Sequence, residues 1–120
     1  MEEKLDDLSR RRAMSHEGGG ASAVERQHAR GKLTAHERNE RLLDPGSFTE
    51  LDSFVTHDVN EFGIGDRKVP GDSVVTGYGK IDGRAVFIYS FDFTVLGGTM
   101  SLDASKKVND EMGIYIKCHI

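Results

Sequence analysis

The glycine pair Gly97-Gly98 is the feature of this sequence whose residue type and position could support ligand binding. It follows the apolar stretch FDFTVL and precedes a segment with the composition of a helix start. Backbone N–H groups at such a junction can donate to an anion or a carbonyl oxygen, helped by the helix dipole. The alternative is that the glycines only let a helix pack closely on a sheet, and such short glycine motifs often lack a ligand.

Other patterns exclude the common nucleotide-binding and nucleophilic sites. The spacing around Gly97 does not match a phosphate-binding P-loop, and the glycines of GYGKIDG lie in a hairpin instead of opening a helix. Ser90 lacks a nucleophile-elbow setting, and no other residue resembles an activated nucleophile. We therefore expect no catalytic side chain in this sequence.

The histidines and the clustered basic residues have ordinary interpretations. The five histidines show no ligand spacing, which predicts surface or capping roles and no metal site. They are His16, His28, His36, His57 and His119. The basic residues in the segment 26–41 could contact phosphates, but interspersed acids favour pairing on helix surfaces. These basic residues are Arg26, Arg30, Lys32, Arg38 and Arg41.

Length and composition bound the class of protein. The 120 residues suffice for one modest domain or part of one, and the net charge of −4 provides no basic surface for nucleic acid. Cys118 is the single cysteine, which excludes an internal disulfide and favours a reducing compartment. There is no secretory signal and no apolar run near the roughly 20 residues that span a bilayer, so we expect a soluble, cytoplasmic protein.

The first half is predicted to contain three short helices. Residues 2–14 form a weakly amphipathic helix that EGGG ends, and a second helix runs from 21 to about 30, closed by Gly31. Thr34 and Glu37 make a capping box for the third helix, which the turn DPGS ends. Its expected core contacts are Leu33, Leu42 and Leu43.

The second half is predicted to be a β-hairpin followed by a helix. FTELDSFV gives a short edge strand before it, and residues 56–73 are irregular. Asp82-Gly83 favours a type I′ turn. The arm 85–89 is apolar on both faces. Such a strand is typically covered on both sides, as within an α/β layer structure. Residues 101–112 suit a helix. The apolar tail GIYIKCHI indicates an uncovered strand, so we expect an incomplete fold.

Several stretches in succession resemble the N-terminal region of carboxyltransferase β subunits of biotin-dependent acyl-CoA carboxylases, the propionyl-CoA carboxylase type. The similarity runs from about Gly18 to Met112. It rests on GGG, VERQHARGKLTAHER, LLDPGSFTELDSFVTH, FGIGDRKVPGDSVVTGYGKIDGRAVFIYS and DFTVLGGTMS. The resemblance implies a crotonase-like α/β fold, with residues 1–33 as an N-terminal helical arm and residues 34–120 as the start of the carboxyltransferase domain.

The resemblance also implies a reaction and its partners. Members pass a carboxyl group from biotin to the α-carbon of an acyl-CoA, and decarboxylase relatives release it. Backbone N–H groups stabilise the developing enolate and the biotin ureido oxygen. Biotin would arrive on a carrier subunit charged by a biotin carboxylase, and full-length subunits would form homo-oligomers. The acyl-CoA would approach Gly97, Gly98 and Thr99, and we expect the 120 residues to be inactive alone.

Four residues depart from the family pattern, which usually has Arg at His36, apolar residues at Asn39 and Arg41, and Gln at Phe91. The changes at Asn39 and Arg41 bring docking of the third helix into question. Two alternatives remain open: a subunit of an acyl-CoA decarboxylase such as methylmalonyl-CoA decarboxylase, and a non-catalytic remnant or interaction module in which the glycines only permit packing.

Overall fold

The computed structural model describes residues 1–56, 72–98, 105–110 and 112. In these ranges helices precede an antiparallel sheet of three strands, in the order that the sequence predicts. The elements are α1 (Glu2–His16), α2 (Ala21–Ala29), α3 (Ala35–Leu42), β1 (Thr49–Leu51), β2 (Val74–Ile81), β3 (Arg84–Phe91) and a 3₁₀ turn (Leu96–Gly98). None of the helices in the described ranges is long and apolar enough to cross a membrane.

The predicted hairpin and edge strand are both confirmed. β2 pairs with β3 from Val74 opposite Phe91 to Ile81 opposite Arg84, and β1 pairs with the other side of β2. The two turn residues have positive φ, 50° at Asp82 and 77° at Gly83, as a type I′ turn requires. The right-handed twist of the strands matches this turn, which is why the dipeptide fixes the register.

Burial along the sheet differs from the prediction. β2, between the other two strands, is buried over its first half, whereas every residue of β3 is half-buried or exposed. Ala85 is exposed and Tyr89 is 50% exposed, so the expectation that the arm 85–89 is covered on both sides is wrong for the described residues. Burial on both sides requires an element on each face of the strand, and α3 is the helix that packs on β3 among the described elements.

Helix α3 packs on β2 and β3 and begins as predicted. Thr34 Oγ1 accepts from the Glu37 N–H, and the Glu37 carboxylate accepts from the Thr34 N–H, which completes the capping box. Leu43 is buried and Leu33 is half-buried. Leu42 is 58% exposed, so its predicted core contact is wrong. The buried face of the helix instead carries positions 35, 36 and 39, and one further turn leads to position 43, which leaves position 42 facing away.

The departures at Asn39 and Arg41 do not prevent α3 from docking. Asn39 is fully buried and its Oδ1 accepts a hydrogen bond from Ser90 Oγ on β3. Arg41 is exposed and takes no part in the packing. A polar pair inside the core thus replaces an apolar contact, and the hydrogen bond offsets part of the cost of burying the amide.

The glycine segment after α1 is packed against a distant turn. Gly19 donates its N–H to Thr94 Oγ1 at 3.0 Å, and a Cβ at Gly19 would collide with the Thr94 carbonyl oxygen. Asp92 holds this turn, because its Oδ1 accepts from the Thr94 N–H at 2.9 Å. EGGG therefore ends α1 as predicted and also fixes the loop between α1 and α2.

Some sequence predictions fall on other parts of the chain. Within the predicted helix 101–112, residues 105–110 are helical, and Lys107 Nζ donates to the Val74 carbonyl at 2.7 Å. Gly31 follows α2 with a φ of 71°, as predicted for a terminating glycine. The segment 57–71 and the tail 113–120 lie outside the described residues.

Candidate functional site

The glycine pair forms a left-handed turn after β3. Leu96, Gly97 and Gly98 have successive φ values of 45°, 67° and 73°, a conformation in which glycine avoids the strain of a side chain. A Cβ at Gly98 would lie 3.1 Å from the ring of Phe93, whereas one at Gly97 would meet nothing within 4 Å. Gly98 therefore packs against protein, and Gly97 faces open space. Thr99, the third predicted contact, lies outside the described residues.

The backbone N–H of Gly98 is already used. It donates to the Val95 carbonyl at 2.8 Å and closes the turn. The Gly98 N–H is therefore not available as a donor to an anion or a carbonyl oxygen in this conformation. Of the pair, Gly97 is the residue whose surroundings admit a ligand.

Arg26 of α2 and Arg30, the residue that follows this helix, line the cavity beside Gly97. Its volume is about 190 Å³, and Arg26, Arg30, Phe93, Thr94 and Gly97 are among its lining residues. The two arginines lie one helical turn apart, so both guanidinium groups reach the same face of α2. A neighbouring cavity of about 360 Å³ shares Phe93 and Gln27 with the first. Its lining adds two further cations, Lys32 and Arg38.

These cations lack carboxylate partners within the described ranges. The salt bridges formed there involve Asp7, Glu37 and Glu50, and none of them includes the four cations around Phe93. The surface pairing expected from the interspersed acids is therefore absent. Arg38 donates through Nη2 to the Phe91 carbonyl, and its guanidinium carbon lies 6.0 Å from the centroid of the Phe93 ring.

Glu37 is unavailable to the arginines because two other groups hold it. His28 Nε2 lies 3.0 and 2.9 Å from the two Glu37 carboxylate oxygens, and the Thr34 N–H donates to Oε2 at 2.8 Å. The His28 hydrogen bond, followed by that from Thr34, lowers the pKa of Glu37 below its ordinary value. The capping box and His28 thereby leave the cavity beside Gly97 positively charged.

Two histidines and a glutamate meet on the opposite side of α3. His16 of α1 stacks on His36 of α3 with ring centroids 4.4 Å apart, and His36 Nε2 lies 3.0 Å from Glu50 Oε2 of β1. The sequence interpretation missed this cluster, because positions 16, 36 and 50 show no ligand spacing along the chain. The histidine at position 36, a departure from the family pattern, was its one signal.

Comparison with known proteins identifies a matching family and several similar proteins. The carboxyl transferase domain family matches residues 26–120. The propionyl-CoA carboxylase beta chain of Roseobacter denitrificans is 53% identical over 108 residues, which are 90% of this chain and 21% of that protein. The mitochondrial propionyl-CoA carboxylase beta chain of Homo sapiens is 54% identical over 93 residues, 76% of this chain and 17% of its own length.

A solved structure and a decarboxylase subunit are also similar. The crystal structure of transcarboxylase 12S, a hexamer with methylmalonyl-coenzyme A bound, has a TM-score of 0.89 and 45% identity over 94% of this chain and 22% of that chain. Methylmalonyl-CoA decarboxylase subunit alpha of Propionigenium modestum is 46% identical over 88% of this chain and 20% of its own length. The chain thus spans about a fifth of the relatives that it matches.

Proposed function

The chain belongs to the carboxyl transferase domain family, and from this premise we propose that it is the N-terminal segment of the carboxyltransferase subunit of a biotin-dependent acyl-CoA carboxylase. The assembled enzyme would transfer a carboxyl group from carboxybiotin to the α-carbon of an acyl-CoA such as propionyl-CoA. We propose a crotonase-like α/β fold for the whole domain. The 120 residues would bind the acyl-CoA and would not turn it over alone.

The observation that carries the acyl-CoA proposal is the position of Arg26 and Arg30 in one cavity with Gly97. Coenzyme A carries several phosphate groups, and guanidinium groups bind phosphate with paired, charge-assisted hydrogen bonds. The arginines make no ion pair within the described part of the chain, so no protein carboxylate there has to be displaced. The cavity therefore has the charge that a CoA phosphate requires.

The glycines would have different roles at this site. Gly97 faces open space, so a ligand can approach its backbone closely. Gly98 shapes the turn through its packing on Phe93 and its hydrogen bond to Val95. Thr99 stays a proposed contact by its place in the sequence. No nucleophile is proposed, since carboxyl transfer to an enolate depends on stabilising charge as it develops.

The described residues do not offer a site for biotin. Its ureido oxygen would need converging backbone donors, and at the glycine turn the Gly98 N–H is engaged by Val95. The described residues therefore support no catalytic step through biotin. We propose that biotin is carried by a partner subunit, charged by a biotin carboxylase, and that full-length subunits form homo-oligomers, as the transcarboxylase 12S hexamer does.

We propose that residues 1–33 act as an arm on the domain that residues 34–120 begin. α1 buries only Ser15, whereas Arg26 of α2 and Arg30 after it contribute to the cavity beside Gly97. The arm would therefore complete the substrate site from outside the sheet. The cytoplasmic location expected from the sequence stays a prediction, and the human relative is described as mitochondrial.

Calorimetric titration of the 120-residue chain with propionyl-CoA and methylmalonyl-CoA tests the proposal, with light scattering to measure the size of the assembly. We expect binding by the parent and at least about tenfold weaker binding by Arg26→Gln/Arg30→Gln, because charge-assisted phosphate contacts are lost. Arg41→Gln, an exposed change outside both cavities, is the matched control and should bind like the parent.

A second ligand separates phosphate recognition from nonspecific binding. S-propionyl-pantetheine lacks the CoA phosphates, so the parent and the double variant should bind it equally weakly. A folded parent that binds no CoA thioester, or a double variant that binds it as tightly as the parent, would contradict the proposed CoA site.

Two other functions remain candidates. A function as an acyl-CoA decarboxylase subunit is supported by the 46% identity to the Propionigenium modestum subunit. A decarboxylase would use the same proposed CoA site. Product analysis of the assembled enzyme with methylmalonyl-CoA distinguishes release of CO₂ from transfer to biotin. The non-catalytic remnant predicts that CoA thioesters do not bind at all.

A further inference from the structure

We propose that His16, His36 and Glu50 form a binding site for a divalent transition metal ion of the Zn²⁺ class, which joins α1 to α3 and β1. The site lies apart from the cavity beside Gly97 and goes beyond the proposed acyl-CoA function. One possible ligand atom from each of the three residues lies within 4.8 Å of the other two. The three residues come from separate elements, so one ion would connect all of them.

The distances fit a metal with nitrogen and oxygen ligands. Ligand atoms about 2.0–2.1 Å from a tetrahedral Zn²⁺ lie about 3.3 Å from one another. Glu50 Oε2 is 3.0 Å from His36 Nε2 and 3.8 Å from His16 Nε2, which brackets that separation. The His16 side chain is 52% exposed, so its ring can turn to complete the coordination.

The buried carboxylate of Glu50 provides independent evidence for a bound cation. Its side chain is 11% exposed, and its Oε1 atom is buried without a hydrogen-bond donor in the described part of the chain. A buried carboxylate oxygen without a donor or cation is costly. A metal bound by both carboxylate oxygens and the two imidazole nitrogens would satisfy Oε1 and would replace the proton that His36 Nε2 shares with Oε2.

The charges around the site favour a cation. Glu50 and His16 line a cavity of about 550 Å³, and its charged lining residues are three carboxylates and one guanidinium. These charged residues are Arg12, Glu40, Asp44 and Glu50.

The metal would stabilise the docking of the N-terminal helix α1. Ser15 is the one buried residue of α1, and Leu5, Leu8 and Met14 are between 41% and 56% exposed. A helix with so little buried apolar surface is weakly held. Binding of metal to a site that exists only when α1 is docked adds its free energy to docking, and it releases any proton held between imidazole and carboxylate.

The test is titration of the purified, metal-free chain with Zn²⁺ in competition with a chromophoric chelator. The ligand variants are His36→Arg, whose guanidinium can still pair with Glu50, and His16→Gln at a half-exposed position. We expect about a hundredfold weaker Zn²⁺ binding for each. His28→Gln and Cys118→Ser, which remove possible ligands elsewhere, are the matched controls and should bind like the parent.

Two further readouts separate a metal site from a simple hydrogen-bonded cluster. Co²⁺ should give the parent the intense visible bands of four-coordinate cobalt, and Zn²⁺ should protect α1 from limited proteolysis in the parent but not in His16→Gln. Circular dichroism checks that each variant is folded. Parent binding weaker than about 1 mM, or binding by both ligand variants as tight as that of the parent, overturns the proposal and leaves the cluster as histidine–carboxylate packing.

Discussion

The carboxylate of Asp44 accepts a hydrogen bond from the backbone N–H of Gly83 at 2.9 Å, although the residues lie 39 positions apart. Its other oxygen accepts from the Asp82 N–H at 2.9 Å, and its own N–H donates to the Lys80 carbonyl at 2.7 Å. The turn that ends α3 therefore binds the tip of the β2–β3 hairpin and sets the position of the helix relative to the sheet.

Asp44→Ala should lower the free energy of unfolding by about 1–2 kcal/mol, because two backbone donors at the hairpin tip lose a charged acceptor but gain access to water. Urea denaturation measures the change as a shift of the midpoint at constant slope. Glu40→Ala removes an exposed carboxylate from α3 and should shift the midpoint little. Equal effects of the two substitutions would show that the Asp44 contact adds nothing specific.

Ser90→Ala should cost about 1–3 kcal/mol, because it leaves the buried Asn39 Oδ1 without its donor. In the background of Asn39→Leu, which keeps the branched shape of the side chain, the same change should cost little. A double-mutant cycle in urea measures the coupling between the residues. A coupling energy near zero would contradict a stabilising hydrogen bond between them.

Gly19→Ala should separate the arm from the turn at residues 92–94, because the new methyl group would overlap the Thr94 carbonyl oxygen. Gly20 is the control, since its φ of 92° makes alanine strained although no atom lies within 4 Å of a Cβ there. We expect Gly20→Ala to cost on the order of 1 kcal/mol and Gly19→Ala to cost more. Thermal unfolding and protease cleavage between α1 and α2 measure both effects.

Glu37→Gln should remove a pH-dependent part of the stability. The folded pKa of Glu37 lies below its ordinary value of 4.5, so the stabilisation is present above that value and is lost as the pH falls through the lower, folded pKa. The side chain is 40% exposed, so solvent screening keeps the contribution below about 1 kcal/mol. Parent and variant should differ at pH 6 and converge in acid; a constant difference in urea midpoints would contradict this origin.

Local signals in the sequence predicted the elements well. Asp82-Gly83 fixed the hairpin, and Thr34 with Glu37 fixed the start of α3, because each depends on residues close together in the chain. The burial of β3 and Leu42 was not predictable in this way, because it depends on which elements cover the faces of the sheet and on how α3 is rotated against it. Those are long-range properties.

The candidate sites divide in the same way. The glycine turn was predicted from its residue types. That Arg26 and Arg30 have no carboxylate partner among the described residues could be learned only from the structure, in which Glu37 pairs with His28. The cluster of His16, His36 and Glu50 could not be predicted from spacing, since three separate elements contribute to it. Family resemblance did not help there, because position 36 departs from the family pattern.

The connections between neighbouring strands of the sheet differ in length, and this difference predicts the order in which the strands pair. A two-residue turn joins β2 to β3, and such hairpins form within about 1–10 μs. β1 reaches β2 only after the chain between Leu51 and Val74 has closed, at a cost in loop entropy that grows with its length. The hairpin would thus form early, and Asp44 would join it late, so that losing this carboxylate accelerates unfolding more than it slows folding.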